Sequence, residues 1–118
     1  MKFKFTYLSP LESDILKILW RKKKSKVRDV YKKLVHQKKV ALTSVAVLLD
    51  RLHKKGFVKR EISHGKGGFH YIYFPTYPTE QNFHRHIIEK SIDQLMKSFG
   101  STAITYFNEK FSKKRGKK

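Results

Sequence analysis

The segment from Leu42 to Lys55 combines an apolar stripe with a small, polar surface of the kind that can approach DNA bases. Its apolar side chains recur at i, i+3, i+4 and i+7, which predicts a helix with one buried face that ends before Gly56. This apolar set is Val45, Leu48, Leu49 and Leu52. The opposite face is small near its start and basic toward its end, and it comprises Thr43, Ser44, Ala46, Val47, Asp50, Arg51 and Lys54. A helix with such a face fits the major groove of B-DNA.

The side chains at the start of this helix suit contacts with base edges. The hydroxyl groups of Thr43 and Ser44 can donate to or accept from bases. The methyl groups of Thr43, Ala46 and Val47 can contact the methyl group of thymine. We therefore assign base reading to the first turns of the helix.

The side chains at the end of the helix suit the phosphate backbone. Arg51 and Lys54 lie one or two turns later, and we assign both to phosphate. Asp50 would be unfavourable beside phosphate. It either pairs with Lys54 at i, i+4 or accepts a hydrogen bond from a cytosine amino group.

Two further segments predict contacts with the DNA backbone. Ser25, Lys26 and Arg28 begin a predicted second helix, whose first backbone N–H groups suit a phosphate. His64 and Lys66 lie in a glycine-rich connection between two β-prone runs, where a tight turn can approach the backbone or the minor groove closely.

The sequence gives little support for catalysis or for metal binding. There is no cysteine, which excludes thiolate metal sites and cysteine nucleophiles. Six histidines are present, but His84 and His86 are two apart on a predicted helix and point in nearly opposite directions. No nucleophile lies near a candidate base. We therefore predict neither catalysis nor a metal, and no cofactor.

The net charge of +19 predicts a polyanionic partner, with nucleic acid as the first candidate. Residues 1–78 carry 19 basic and 5 acidic side chains, whereas residues 79–112 are neutral. The neutral stretch is typical of a surface that faces protein. No apolar run is long enough for a membrane helix, so we expect a cytoplasmic protein without a membrane partner.

The order of the predicted elements is three helices, a hairpin and a long helix. Ser9 caps a first helix that runs from Pro10 to about Trp20. A second helix follows Ser25, and the hairpin joins strands at 57–62 and 69–74 through a six-residue tip. This order predicts a mainly α fold with a small β-hairpin, a winged helix-turn-helix over residues 7–78.

C-terminal dimerisation helices are predicted over residues 79–112, and residues 113–118 are predicted to be a disordered basic tail. Thr79 caps a helix that runs to about Phe99, and a short helix follows Gly100. The apolar residues of the long helix, 88, 92, 95 and 99, are spaced as in one seam of a helix pair, and the short helix holds residues 104, 107 and 111 on one side. The set predicted to dimerise is Ile88, Ile92, Leu95, Phe99, Ile104 and Phe107. Packing of these residues within the chain is the alternative.

Three stretches resemble the penicillinase-repressor (BlaI/MecI/CopY) family of winged-helix transcriptional regulators. They are LSPLESDILKILW, TSVAVLLDRLHKKGFVKRE and YIYFPTY, within about residues 7–78. The resemblance implies a homodimer that binds a palindromic operator in double-stranded DNA and represses transcription. It places base reading on Thr43, Ser44 and Val47, with Arg51 near the backbone.

The family's known release mechanisms are not matched by residues of this chain. In the β-lactam-responsive members an Asn–Phe bond is cut, and the nearest alignment places Thr105 and Tyr106 there. Copper-responsive members sense metal through C-terminal cysteines. The alternatives to a specific repressor are a weakly specific architectural, nucleoid-type DNA-binding protein and an RNA- or ribosome-associated module. The operator, the regulated genes and any inducing signal do not follow from the sequence.

Overall fold

The computed structural model describes residues 8–115, and the side chains of residues 8–112. In chain order these residues form α1 (Pro10–Lys22), β1 (Ser25–Lys26), α2 (Val27–Leu34), α3 (Leu42–Lys54), β2 (Val58–Gly65), β3 (Gly68–Pro75), α4 (Glu80–Phe99) and α5 (Ser101–Arg115). The chain divides between Phe83 and His84 into two compact units. We call the unit that ends at Phe83 the first unit and the helical remainder the second unit.

The start of α1 is fixed by the predicted capping box. The Ser9 hydroxyl accepts a hydrogen bond from the Glu12 N–H at 3.2 Å, and the Glu12 carboxylate accepts one from the Ser9 N–H at 2.9 Å. Pro10 occupies the first helical turn, where its missing N–H has no cost. The helix continues to Lys22, two residues beyond the expected end, and stops where Lys23 adopts a positive φ of 75°.

The core of the first unit lies between α1, α2 and α3. The apolar face predicted for α3 is buried as expected. Each of the three helices contributes side chains that are completely buried, namely Ile15, Leu19, Val30, Leu34, Val45, Leu49 and Leu52. Because these residues recur every three or four positions, one side of each helix faces the core and the other is left to solvent.

A buried ion pair joins the beginning of α1 to the end of α3. The ammonium group of Lys55 donates to both carboxylate oxygens of Glu12 at 3.0 Å. The Glu12 side chain is only 2% exposed. Burial raises the pKa of the Glu12 carboxyl, but hydrogen bonds from Ser9 and Lys55 and the Lys55 charge together hold that pKa below its usual value.

The sheet contains a strand that the sequence did not predict. Among the described residues the strand order is β1-β3-β2, with both pairings antiparallel. Ser25 pairs with Tyr73 and Lys26 with Ile72. The expectation that Ser25 and Lys26 begin the second helix is therefore wrong, because both belong to β1 and α2 starts at Val27.

The hairpin is longer and tighter than expected. β2 and β3 remain paired as far as Gly65 and Gly68, so the turn consists of Lys66 and Gly67 alone. Gly67 has a φ of 83°, which side-chain-bearing residues rarely adopt. Four residues of the predicted six-residue tip are therefore strand, namely residues 63–65 of β2 and residue 68 of β3.

An aromatic cluster closes the first unit at its C-terminal end. The Phe83 ring lies 5.0 Å from Phe57 and 5.6 Å from Trp20, measured between centroids. The indole N–H of Trp20 donates to the carbonyl of Tyr77 at 3.0 Å. The first unit therefore includes the first turn of α4 and extends past residue 78, where the sequence placed the domain boundary.

Within the described residues, the second unit consists of α4 from His84 onward and α5. Thr79 caps α4 as predicted, since its hydroxyl accepts from the Asn82 N–H at 3.1 Å. The helices are separated at Gly100, which has a φ of 57°. α5 continues to Arg115, so part of the segment predicted to be a disordered tail is helical, and residues 116–118 lie outside the described residues. Within residues 8–115 no helix has the length and hydropathy needed to span a membrane.

We predict that Glu12→Gln destabilises the protein by about 2 kcal/mol at neutral pH, because it leaves Lys55 without its carboxylate. The pKa of Glu12 is lowered in the folded protein, so its contribution is present at neutral pH. It is lost as the pH falls below about 4. Urea unfolding at several pH values measures the difference between the variant and the wild type.

The exposed Glu61 on β2 provides the matched control, and Glu61→Gln should change the free energy of unfolding by less than about 0.5 kcal/mol. A Glu12→Gln cost that is equally large at neutral pH and near pH 3 would contradict the assignment of the stabilisation to the ionised carboxylate.

Candidate nucleic-acid interface

The outward face of α3 forms a concave surface with α1. A cavity of about 360 Å³ lies there. It is lined by Leu11, Thr43, Ser44, Val47, Leu48 and Arg51. Four of these residues belong to the predicted DNA-contacting set, and the structure therefore brings Thr43, Ser44, Val47 and Arg51 together on one surface.

The lining of this cavity combines three kinds of contact. Leu11, Val47 and Leu48 provide apolar surface, and Val47 is 55% exposed although it is aliphatic. Thr43 and Ser44 provide hydroxyl groups at the same rim. Arg51 adds a guanidinium group, which can form bidentate hydrogen bonds with a phosphate or a guanine. Ala46 is half-buried beside this surface, so it offers less area than predicted.

Leu11 is a residue of this surface that the sequence did not identify as a candidate contact. It lies on the apolar stripe of α1, and its exposure is intermediate. Its position in the first turn of the helix, next to the exposed Pro10, was the available signal. Periodicity alone does not separate a core residue from one at the rim of the core.

The helices α2 and α3 begin without a side-chain cap, in contrast to α1. The N-cap residues of α2 and α3 are Lys26 and Ala41, and neither side chain makes a capping hydrogen bond. The N–H groups of the first turns of α2 and α3 therefore have no capping side chain of their own. Such groups can donate to an anion or to a base edge.

The end of α3 is held to the hairpin through Asp50. Its carboxylate pairs with Arg60 of β2 at 3.0 Å and with Lys54 at 3.3 Å. The hydrogen bond from Arg60, followed by that from Lys54, lowers the pKa of Asp50. The predicted Asp50–Lys54 pair is confirmed, while the contact with Arg60 was missed because it joins two elements. The two cations neutralise the one acidic group on this face.

Three charged residues predicted to contact phosphate are exposed. Arg28 projects from the first turn of α2, and Lys26 precedes it. Lys54 lies near the end of α3. Ser25 differs from the prediction, since it is only 6% exposed and its hydroxyl donates to the Lys26 carbonyl at 3.1 Å. Burial in β1 removes Ser25 from the candidate interface.

The hairpin carries exposed basic and aromatic side chains. Lys66 occupies the two-residue turn, as expected, whereas His64 lies on β2 and not in the connection where the sequence placed it. Phe69 and Ile62 are 61% and 55% exposed. Their exposure was not anticipated, because aromatic and β-branched residues in a strand normally pack against a core.

A metal centre finds no geometric basis in the described part of the chain. Within residues 8–115, no three side chains of the His, Cys, Asp or Glu type lie close enough together to hold an ion.

Comparisons with solved structures identify the fold. A possible transcriptional regulator from Methanosarcina mazei Go1 is similar with a TM-score of 0.62 and 20% identity, over 84% of this chain and 79% of that chain. The YusO protein from Bacillus subtilis has a TM-score of 0.52 and 14% identity, over 90% and 75%. The multiple antibiotic resistance repressor MarR has a TM-score of 0.51 and 18% identity, also over 90% and 75%. These similarities confirm the predicted winged-helix fold.

The sequence comparisons identify the family. No curated protein matches the chain significantly. The sequence profile of the penicillinase repressor family matches residues 8–116, which is nearly the whole chain. The chain belongs to the penicillinase repressor family of transcriptional regulators.

Proposed function

We propose that the protein is a transcriptional repressor that binds a palindromic operator in double-stranded DNA as a homodimer, and that it acts in the cytoplasm. The observation that carries the proposal is the exposed face of α3. This face combines hydroxyl, methyl and guanidinium groups in one concave surface beside α1. The combination matches the donor, acceptor and methyl pattern of the major groove.

The first two turns of α3 read the bases in this proposal. Thr43 and Ser44 form hydrogen bonds with base edges, while Val47 and the partly exposed Ala46 contact thymine methyl groups. Leu11 limits how deeply a DNA strand enters, because it forms the α1 side of the concave surface. The N–H groups at the uncapped start of α3 remain as further donors.

Phosphate contacts surround the base-reading surface. Arg51 and Lys54 lie farther along α3, while Lys26 and Arg28 lie at the start of α2. His64 and Lys66 reach the adjacent backbone from the hairpin. Residues 1–78 carry 19 basic but only 5 acidic side chains, so the acidic side chains are too few to balance the basic ones. The excess of positive charge favours contact with phosphate.

Dimerisation is assigned to the second unit. Ile88, Ile92, Phe99 and Ile104 are between 42% and 57% exposed, which is unusual for large apolar side chains on helices of a monomer. Leu95 and Phe107 are half-buried on the same helices. The surrounding residues 79–112 have no net charge, so two copies can approach without the repulsion that the basic first unit would cause.

Repression follows from membership of the family and from occupancy of an operator. A second candidate, a weakly specific architectural DNA-binding protein, is favoured by one observation, the net charge of +19. The two differ in selectivity. Backbone contacts alone give similar affinity for all duplexes, whereas base contacts give a preferred sequence.

We expect selection of bound duplexes from random DNA to yield a palindrome that binds about a thousandfold or more tightly than random duplex at physiological salt. The reason is that the α3 face carries groups that distinguish base pairs. Equal affinity for the selected and random duplexes would support the architectural protein instead, and preference for RNA would exclude both.

Substitutions on α3 should separate the base contacts from the phosphate contacts. Thr43→Ala should weaken binding to the selected duplex by about 1–3 kcal/mol, relax the preference at one position and leave the salt dependence unchanged. Arg51→Ala should weaken binding to all duplexes alike and reduce the salt slope by about 1. Fluorescence anisotropy at several salt concentrations measures both. Identical behaviour of the two variants would contradict the assigned roles.

The double variant Ile88→Glu/Ile92→Glu should be monomeric, because two carboxylates would be buried in the apolar interface. Analytical ultracentrifugation measures the mass, and binding to the palindrome should weaken more than binding to a half-site. Lys90→Glu is a matched control, since it changes the net charge of the same exposed helix by the same amount. A double variant that remains dimeric would place the interface elsewhere.

A further inference from the structure

We propose that the hairpin inserts an apolar wedge, formed by Phe69 and Ile62, into the minor groove beside the base-reading surface, and that this insertion bends the DNA. The inference rests on the proposed function and adds a specificity-determining contact to it. We call the outward end of the hairpin, from Ile62 to Tyr71, the wing tip.

The register of the hairpin places the wedge residues on one face. His64 pairs with Phe69, Ile62 with Tyr71 and Arg60 with Tyr73. Residues two apart on a strand share a face, and directly paired residues of neighbouring strands share it also. The wedge residues therefore lie on the face that carries Val58 and Tyr73.

Exposure along this face rises steadily toward the wing tip. Tyr73 is 3% exposed and belongs to the core, Tyr71 is 37% exposed, and Phe69 is 61% exposed. On the neighbouring strand, exposure rises from 2% at Val58 to 55% at Ile62. A sheet face that leaves the core normally becomes polar. Here Ile62, Tyr71 and Phe69 stay apolar or aromatic into solvent, although Arg60 and His64 lie on the same face.

The charges around the wedge indicate a nucleic acid as the occupant. Arg60, His64 and Lys66 lie on the same hairpin, and the residues up to 78 carry a net charge of +14. A second copy of the chain would bring the same positive charge to the contact. DNA supplies the opposite charge on its phosphates and apolar sugar surfaces along the minor groove walls. Phe and Ile are among the side chains that open base steps from this groove.

The position of the wedge is fixed relative to α3. The guanidinium of Arg60 lies 4.3 Å from the centre of the Tyr71 ring and pairs with Asp50 of α3 at 3.0 Å. One arginine thus joins the root of the wing tip to the base-reading helix. A bend caused by the wedge must therefore occur at a constant distance from the bases that α3 contacts.

This geometry predicts a sequence preference at a DNA position where the protein forms no hydrogen bond with a base. Opening a base step costs least at flexible pyrimidine–purine steps, such as TA and CA. We therefore expect such a step at a fixed distance from each half-site, in addition to the bases that α3 contacts.

The test compares Phe69→Ala with the wild type on duplexes from the selected pool. These duplexes carry 2-aminopurine at successive steps beside the half-site and a dye at each end. For the wild type we expect a local rise of 2-aminopurine fluorescence at one step and a bend of about 20–90° measured by energy transfer. Phe69→Ala should lose both signals and bind about tenfold more weakly, with an unchanged salt slope because no phosphate contact is lost.

Two matched variants control for general damage to the hairpin. His70→Ala alters the exposed neighbour of Phe69 on the opposite face and should retain the bend and the affinity. Phe69→Leu keeps an apolar side chain and should retain most of the bend. Circular dichroism should show the same thermal unfolding for all variants, since Phe69 is mostly exposed.

The outcomes separate this inference from the proposed function. If the wild type selects a sequence but Phe69→Ala bends it and binds it equally well, the wedge is overturned and the proposed function stands. If Phe69→Ala changes the oligomeric state without DNA, the patch contacts protein and the wedge is also overturned. If the wild type binds no duplex, both proposals fail.

Discussion

The arrangement of the first unit depends on the interactions of one buried carboxylate, that of Glu12. It closes the capping box at the start of α1 and binds the ammonium group of Lys55 directly after α3. At 2% exposure the carboxylate has lost its water, so the pair is strong only while both partners are present. This contact ties the start of α1 to the end of α3, the two helices whose residues Leu11 and Val47 line the concave surface.

Acidic residues of the first unit form ion pairs that join different segments of the fold. Within the described residues, Glu12 joins α1 to α3, Asp14 pairs with Lys38 at 2.6 Å, and Asp50 joins α3 to β2. Three of the five carboxylates in residues 1–78 are thus occupied in holding the fold. Among the basic side chains of residues 8–78, only Lys38, Lys54, Lys55 and Arg60 take part in these ion pairs. Because few basic side chains are paired in this way, an excess of positive charge remains at the surface. This charge supplies the field that the proposed DNA contact requires.

Local signals in the sequence predicted much of the fold, and contacts between distant segments account for what was missed. The cap at Ser9, the buried face of α3 and the break at Gly100 each depend on neighbouring residues, and all three are confirmed. The strand β1 was missed because two residues carry no periodicity. The packing of Phe83 into the aromatic cluster was not predicted, because its partners, Trp20 and Phe57, lie far away in the chain. The roles of Thr43 and its neighbours in binding stay predictions.

The exposed aromatic residues of the wing tip are not explained by the needs of the fold. Register is fixed where Val58 and Tyr73 are buried, because a slip by one residue would turn both toward solvent. Farther out, polar side chains at the positions of Ile62 and Phe69 would preserve the same register and avoid exposed apolar area. The turn at Lys66 and Gly67 would also be unaffected, since its geometry depends on glycine. Folding therefore leaves the choice of Phe69 open, and a contact outside the monomer supplies a physical reason for an aromatic ring there.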